Sequence, residues 1–121
     1  MRHPARVNAQ KRGRRAETLA VLLLRFKGYR ILARRLKTPV GEIDILAKKR
    51  GALVAVEVKA RSTLDLAAES IGKRQWERIA RALQWRLSHR PNETALAARF
   101  DAVLIAGWKT KHIKDAWRPS F

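Results

Sequence analysis

The chain is 121 residues long, room for one domain and little more. Apolar residues make up 46% and charged residues 31%, a balance that supplies a core and excludes wholesale disorder. Twenty-eight Lys and Arg against ten Asp and Glu leave a net charge of +18, which on so small a chain points to a polyanionic partner. The plainer alternatives are a charge kept for solubility and a ribosome-bound chain. The absence of cysteine excludes disulfides, thiolate zinc sites and thiol nucleophiles. His3, His89 and His112 lie far apart, with no metal-ligand spacing. No apolar run nears the ~18 residues of a membrane span, the longest being Leu19 to Leu24. The expected setting is therefore the cytoplasm, with no membrane partner.

Residues 1–14 are rich in Arg and Lys and read as a flexible basic arm, with residues 15–121 as a single domain. From Arg15 the pattern turns helical: Leu19, Leu22, Leu23 and Phe26 fall on one stripe at the 3.6-residue period, and Gly28 stands where a helix C-cap belongs. Tyr29 to Leu36 reads as a first strand. Thr38-Pro39-Val40-Gly41 is a connection, because Pro39 has no amide to give a ladder. The alternation of Ile43, Ile45 and Ala47 with Glu42, Asp44 and Leu46 predicts a second strand. Lys48-Lys49-Arg50-Gly51 supplies a turn into a third, Val-rich strand over Ala52–Ala60. A helical region broken around Leu64 to Gly72 follows, its main part running from about Lys73 to His89 and stopped by Pro91. Trp76, Ile79, Ala80, Leu83 and Leu87 form its core-facing stripe, with Arg74, Arg78 and Arg81 on another face. Asn92-Glu93 suits a short helical turn, Arg99 to Ala106 a fourth strand ended by Gly107, and His112 to Trp117 an edge strand. Short connections make the first three strands an antiparallel meander, and the intervening helix suits a right-handed crossover to a parallel fourth strand. The fold class is α/β, a mixed sheet flanked by helices.

The second and third strands carry acids where a core is expected. In the third strand Val54, Val56, Val58 and Ala60 share one face, and Leu53, Ala55, Glu57 and Lys59 the other. A four-residue loop Lys49–Ala52 sets Asp44 opposite Glu57 and Glu42 opposite Lys59. Two carboxylates so placed have Cβ atoms ~5 Å apart and repel. Either Lys59 neutralises one of them as a structural ion pair, or a divalent cation sits between them. Hard oxygen ligands suit Mg²⁺ or Mn²⁺ rather than zinc. A cation held by Asp44 and Glu57 would polarise a phosphodiester and acidify a water, with Lys59 orienting that water or stabilising the charge that develops. The basic surface would hold a nucleic-acid backbone over the site.

At these residues the chain resembles the YraN family, small bacterial proteins with a restriction-endonuclease-like fold. The matching segments are Gly13-Arg-Arg-Ala-Glu17, Gly28 to Leu32, Gly41-Glu42-Ile43-Asp44-Ile45-Leu46-Ala47, Val56-Glu57-Val58-Lys59-Ala60-Arg61, Arg99 to Val103, and His112 to Trp117. The likeness extends to the wider PD-(D/E)xK nuclease superfamily, which includes archaeal Holliday-junction resolvases. It implies that Asp44 and Glu57 are metal ligands, that the carbonyl of Val58 is a further ligand, that Lys59 is the catalytic lysine, and that Glu17 completes the acidic cluster. Glu17 otherwise reads as an ordinary acid near a helix N-terminus. A homodimer is suggested by the resolvase likeness alone.

Other basic and aromatic residues have two readings each. Arg74, Arg78 and Arg81 either track phosphates, with Trp85 stacking on a base, or form a solvated helix face. Lys73 and Gln75 stand where such nucleases often carry a supporting polar residue. Arg12, Arg14 and Arg15, in the basic arm, act as a nonspecific tether, with Arg61 beside the third strand. Trp76, Trp108 and Trp117 read as packing residues, and Asp101 as a strand-end salt bridge. The function expected is a Mg²⁺- or Mn²⁺-dependent endonuclease on DNA, with branched or structured DNA as a candidate substrate. The alternatives are a non-catalytic DNA- or RNA-binding module of the same fold and a ribosome-associated structural protein.

Overall fold

The computed structural model describes the chain from residue 4 to residue 120, and side chains from residue 13 onward. Its elements in chain order are α1 (Pro4–Phe26), β1 (Arg30–Thr38), β2 (Gly41–Lys49), β3 (Ala52–Ala60), α2 (Leu64–Glu69), α3 (Lys73–Ser88), a 3₁₀ turn (Pro91–Glu93), β4 (Ala97–Ala106) and β5 (Lys109–Ile113). The strands form one sheet in the order β1-β2-β3-β4-β5. All neighbours are antiparallel except β3 and β4, which are parallel and joined through α2 and α3. That is the mixed α/β architecture the connection lengths predict. No helix among the described residues is long and apolar enough to cross a membrane.

The sheet is covered on both faces. Ala16, Ala20, Val21 and Leu24 of α1 pack on Ile45, Val54, Val56, Val103 and Ile105. On the other face Trp76, Ile79 and Leu83 of α3 and Ala67 of α2 pack on Leu46, Leu53, Ala55, Phe100 and Leu104. Burying both faces of β3 explains its run of valines and alanines. Thr63 caps α2 by accepting a hydrogen bond from the Leu66 amide at 3.1 Å. Gly41 brings β2 against α3 so closely that a Cβ there would lie 2.8 Å from the Arg78 carbonyl oxygen.

Several expectations change. Helix α1 begins at Pro4 rather than Arg15, so the part of the 1–14 arm from Pro4 onward is helical; residues 1–3 lie outside the described residues. Most of its expected apolar stripe faces outward: Leu19, Leu22 and Phe26 are exposed, Phe26 by 91%, and only Leu23 packs on the core. The segment LAVLLLRF is apolar on two faces, and the sheet takes the face with the small residues Ala16 and Ala20, which lets the backbones approach. The break expected around Leu64 to Gly72 is there, at residues 70–72, with the short helix α2 before it and α3 after it. The last strand is Lys109–Ile113, earlier than expected, because Gly107 and Trp108 turn the chain straight back along β4. Trp76 and Trp117 do pack, stacked at 6.0 Å between ring centroids. Trp108 does not; it sits at the hairpin tip, 91% exposed.

Candidate functional site

The hairpin between β2 and β3 has the register the sequence implies, Lys49 pairing with Ala52 around the turn Arg50-Gly51, but the ladder ends at Ile45–Val56. Beyond that point β2 stays with β1 and β3 stays with β4. The expected pairs Asp44–Glu57 and Glu42–Lys59 are therefore not ladder partners, because the strands diverge. The alternation of β2 breaks at the same place: Ile43 and Leu46 both pack with the α3 side, Ile45 and Ala47 under α1. Opposite this break Arg35 has φ +49, a left-handed conformation costly for a side chain with a Cβ. Divergence leaves the Val58 amide without a backbone acceptor from β2. The Asp44 carboxylate replaces it, accepting from the Val58 N–H at 2.9 Å. A strand residue turns its N–H and C=O to the same side, so the Val58 carbonyl also faces the opening.

The opening is a cleft of about 500 Å³ lined by Gly13, Arg14, Glu17, Arg35, Glu42, Asp44, Glu57, Val58, Lys59 and Gln75. Glu57 is only 3% exposed, and Gln75 donates to its Oε2 at 2.8 Å. Burial, then the hydrogen bond and negative charge of the adjacent Asp44, push the Glu57 carboxyl up to about 8, against the smaller opposing effects of Gln75 and Lys59. At neutral pH Glu57 therefore keeps its proton beside Asp44. Lys59 lines the same cleft and makes no salt bridge among the described residues.

Glu17 also lines the cleft but is engaged otherwise: Arg35 Nε donates to both of its oxygens at 3.1 Å, and Arg34 Nε to one at 3.4 Å. Among the described residues no three His, Asp or Glu side chains come together as a metal-holding group. The structure therefore brings Asp44 and Glu57 together and sets Glu17 across the cleft in an ion pair, where its neighbours are arginines. Arg14 lines the cleft; Arg15 and Arg61 line a hollow beside it. Arg12 lies outside the residues with described side chains. Lys73, Arg74 and Arg78 are exposed on α3, where Lys73 pairs with Glu77 at 4.0 Å. Of the two candidates for a supporting polar residue, Gln75 is the one that reaches the acids. Trp85 stacks on His89 of its own helix at 4.0 Å. Arg34 and Arg35, the partners of Glu17, carry no sequence signal that singles them out among so many arginines.

A second polar cluster lies on the α1 side of the sheet, around Asp101, which is fully buried. Arg99 pairs with both of its oxygens at 2.8 Å, His112 Nε2 contacts Oδ2 at 2.8 Å, and the Asp115 amide donates to Oδ1 at 3.0 Å. Arg99 also donates to the Tyr29 hydroxyl at 2.6 Å. Burial raises the Asp101 pKa, but the hydrogen bonds from His112, Arg99 and Asp115 outweigh it and hold the group at about 2. These contacts tie the start of β1, β4, β5 and the C-terminal segment together. The expected strand-end salt bridge is in fact a buried hub.

The family model described as "Uncharacterised protein family UPF0102" matches residues 16–105. A UPF0102 protein of Parvibaculum lavamentivorans is 54% identical over 112 residues, covering 92% of this chain and 84% of the relative. One from Paramagnetospirillum magneticum is 52% identical over 91% of this chain and 89% of the relative, and one from Caulobacter vibrioides 46% identical over 90% and 88%. With that coverage and this sheet, the chain belongs to the UPF0102 family, the restriction-endonuclease-like YraN group.

Proposed function

We propose that the protein is a divalent-metal-dependent nuclease that hydrolyses phosphodiester bonds, in DNA before RNA. The observation that carries the reading is the acid pair at the point where β2 and β3 part, with Glu57 held protonated near neutral pH by burial and by the adjacent Asp44. Asp44, Glu57 and the Val58 carbonyl would hold Mg²⁺ or Mn²⁺. They are all hard oxygen donors, and a cation would relieve the repulsion that now keeps the proton in place. Bound there, the metal supplies Lewis-acid polarisation of the phosphodiester.

The chain's own groups account for the rest. Val58 N–H fixes one Asp44 oxygen, which holds the carboxylate beside Glu57 in the cleft. Gln75 orients Glu57 by donating to Oε2. Lys59, which makes no salt bridge among the described residues, is available to balance the charge that builds on the phosphoryl oxygens as the leaving oxygen departs. Arg14, Arg15 and Arg61 lie around the cleft as cations for the flanking phosphates, within a molecule of net charge +18.

The test is cleavage of labelled duplex, flap, junction and single-strand DNA in Mn²⁺ or Mg²⁺. Wild type is expected to nick at least one substrate, Asp44→Asn and Glu57→Gln to abolish nicking while retaining binding, and Lys59→Ala to slow it by ~10²–10³-fold. Wild type that binds all four and cuts none would make the protein a non-catalytic nucleic-acid-binding module instead.

A further inference from the structure

The acid cleft does not end at Lys59. Through Gly13, Val58 and Lys59 it opens into a second hollow, and through Ala16, Ala60 and Arg61 that hollow opens into a third, which reaches Gly107. The result is one groove along the end of the sheet where β3 and β4 finish. Parallel pairing sets Lys59 beside Leu104, so the Gly107-Trp108 turn follows at the same end of the molecule. Ala102 pairs with Glu57, and the run from Ala102 to Trp108 spans at most ~20 Å at strand rise. That is a reach of a few extended nucleotides.

The groove's chemistry names its occupant. Among the described residues no carboxylate lines it between Lys59 and Gly107, whereas Arg15, Lys59 and Arg61 do. Its floor is made of small residues, Gly13, Ala16 and Ala60, and Leu19 adds an apolar wall. Gly107 lines its far end, and the next residue in the chain, Trp108, carries an indole that is 91% exposed. A cationic groove with small floor residues and a bare aromatic one residue past its end suits a phosphate backbone whose bases are free to stack. Duplex bases are already stacked on one another and offer no face to Trp108 along their length. A second copy of this chain, itself carrying +18, would be repelled.

We infer that this groove seats a single-stranded segment of the substrate, with Trp108 stacking on an unpaired base, so that the substrate class is nucleic acid with an unpaired stretch beside the scissile bond. The inference rests on the nucleic-acid reading above but not on catalysis. It is tested by fluorescence anisotropy with a labelled single-stranded oligonucleotide and the matching duplex, in EDTA so that nothing is cut. Trp108→Ala is expected to weaken single-strand binding by ~10- to 100-fold, and duplex binding by far less. Trp108→Phe, which keeps a π-face, is expected to restore most of the loss. Equal affinities of wild type and Trp108→Ala for the single strand, or equal losses on both substrates, would overturn the groove while leaving the nuclease reading standing. A selective loss in a protein that never cleaves would leave the groove standing and remove the nuclease. Wild type that binds no nucleic acid removes both. A dimer that Trp108→Ala dissociates, with single-strand affinity unchanged, would make this face a self-association surface and overturn the inference.

Discussion

At Glu57 two effects push the same way, burial and the charge of Asp44, and together they hold the carboxyl at about 8 instead of near 4.5. Linkage turns this into a stability statement. An acid whose pKa is raised on folding binds its proton more tightly in the folded state, so its contribution is whole below about pH 4.5. It is lost as pH rises toward 8. Metal-free protein should therefore be less stable at pH 8.5 than at pH 5 on account of this one group. Glu57→Gln keeps the shape and an acceptor for Gln75 without the titration. It is expected to raise Tm by roughly 5 °C at pH 8.5 and to change it little at pH 5. Thermal melts in EDTA at the two pH values check this; a variant less stable than wild type at pH 8.5 would contradict it. Which acids matter was readable in the sequence, because Asp44 and Glu57 interrupt strands that are otherwise apolar. That Glu57 is protonated was not, since it depends on how deeply α3 buries it.

Among the elements, the register of β2 and β3 was legible because Arg50-Gly51 leaves room for only a tight turn, and β3 itself occupies the residues its valines indicate. The divergence beyond Ile45–Val56 was not legible: alternation predicts which face a residue takes but not where two strands stop pairing. The face of α1 was misjudged for a related reason. Two apolar stripes run along the helix, and only the sheet's demand for close approach selects the one with alanines. The Asp101 hub is the clearest case of information held in tertiary structure alone, since Tyr29 lies seventy residues from its partner Arg99. This hub locks elements rather than serving the cleft, and its expected signature follows. Asp101→Asn removes the charge between Arg99 and His112 and should cost ~3 kcal/mol, read as a lower urea midpoint with an unchanged slope. Nucleic-acid affinity should stay at the wild-type level wherever the variant is folded. In wild type the same carboxylate, held at about 2, makes its contribution above pH 4 and loses it as pH falls toward 2.

Over the whole molecule the design is an acid pair inside a strongly positive field. A phosphate backbone drawn in by that field meets, in metal-free protein near pH 7, one negative charge fewer than the acids of the cleft would carry, because Glu57 keeps its proton. Removing one carboxyl leaves the other to carry the charge, so the two substitutions should not add. In EDTA at pH 7, Glu57→Gln is expected to change DNA affinity less than about twofold, whereas Asp44→Asn with Glu57→Gln together should tighten it ~3-fold at low salt. Above pH 8 Glu57 has lost its proton and adds its charge to the cleft. There Glu57→Gln alone should tighten binding by a similar factor. The gain should shrink as salt is added, so the tighter variants lose log affinity slightly faster with log salt than wild type does and the lines converge at high salt. Anisotropy titrations at pH 7 and pH 9 separate this from simple charge counting, which predicts that Glu57→Gln tightens binding equally at both. A pH-independent effect would mean that Glu57 is already ionised at pH 7, and that it holds no proton for a cation to displace.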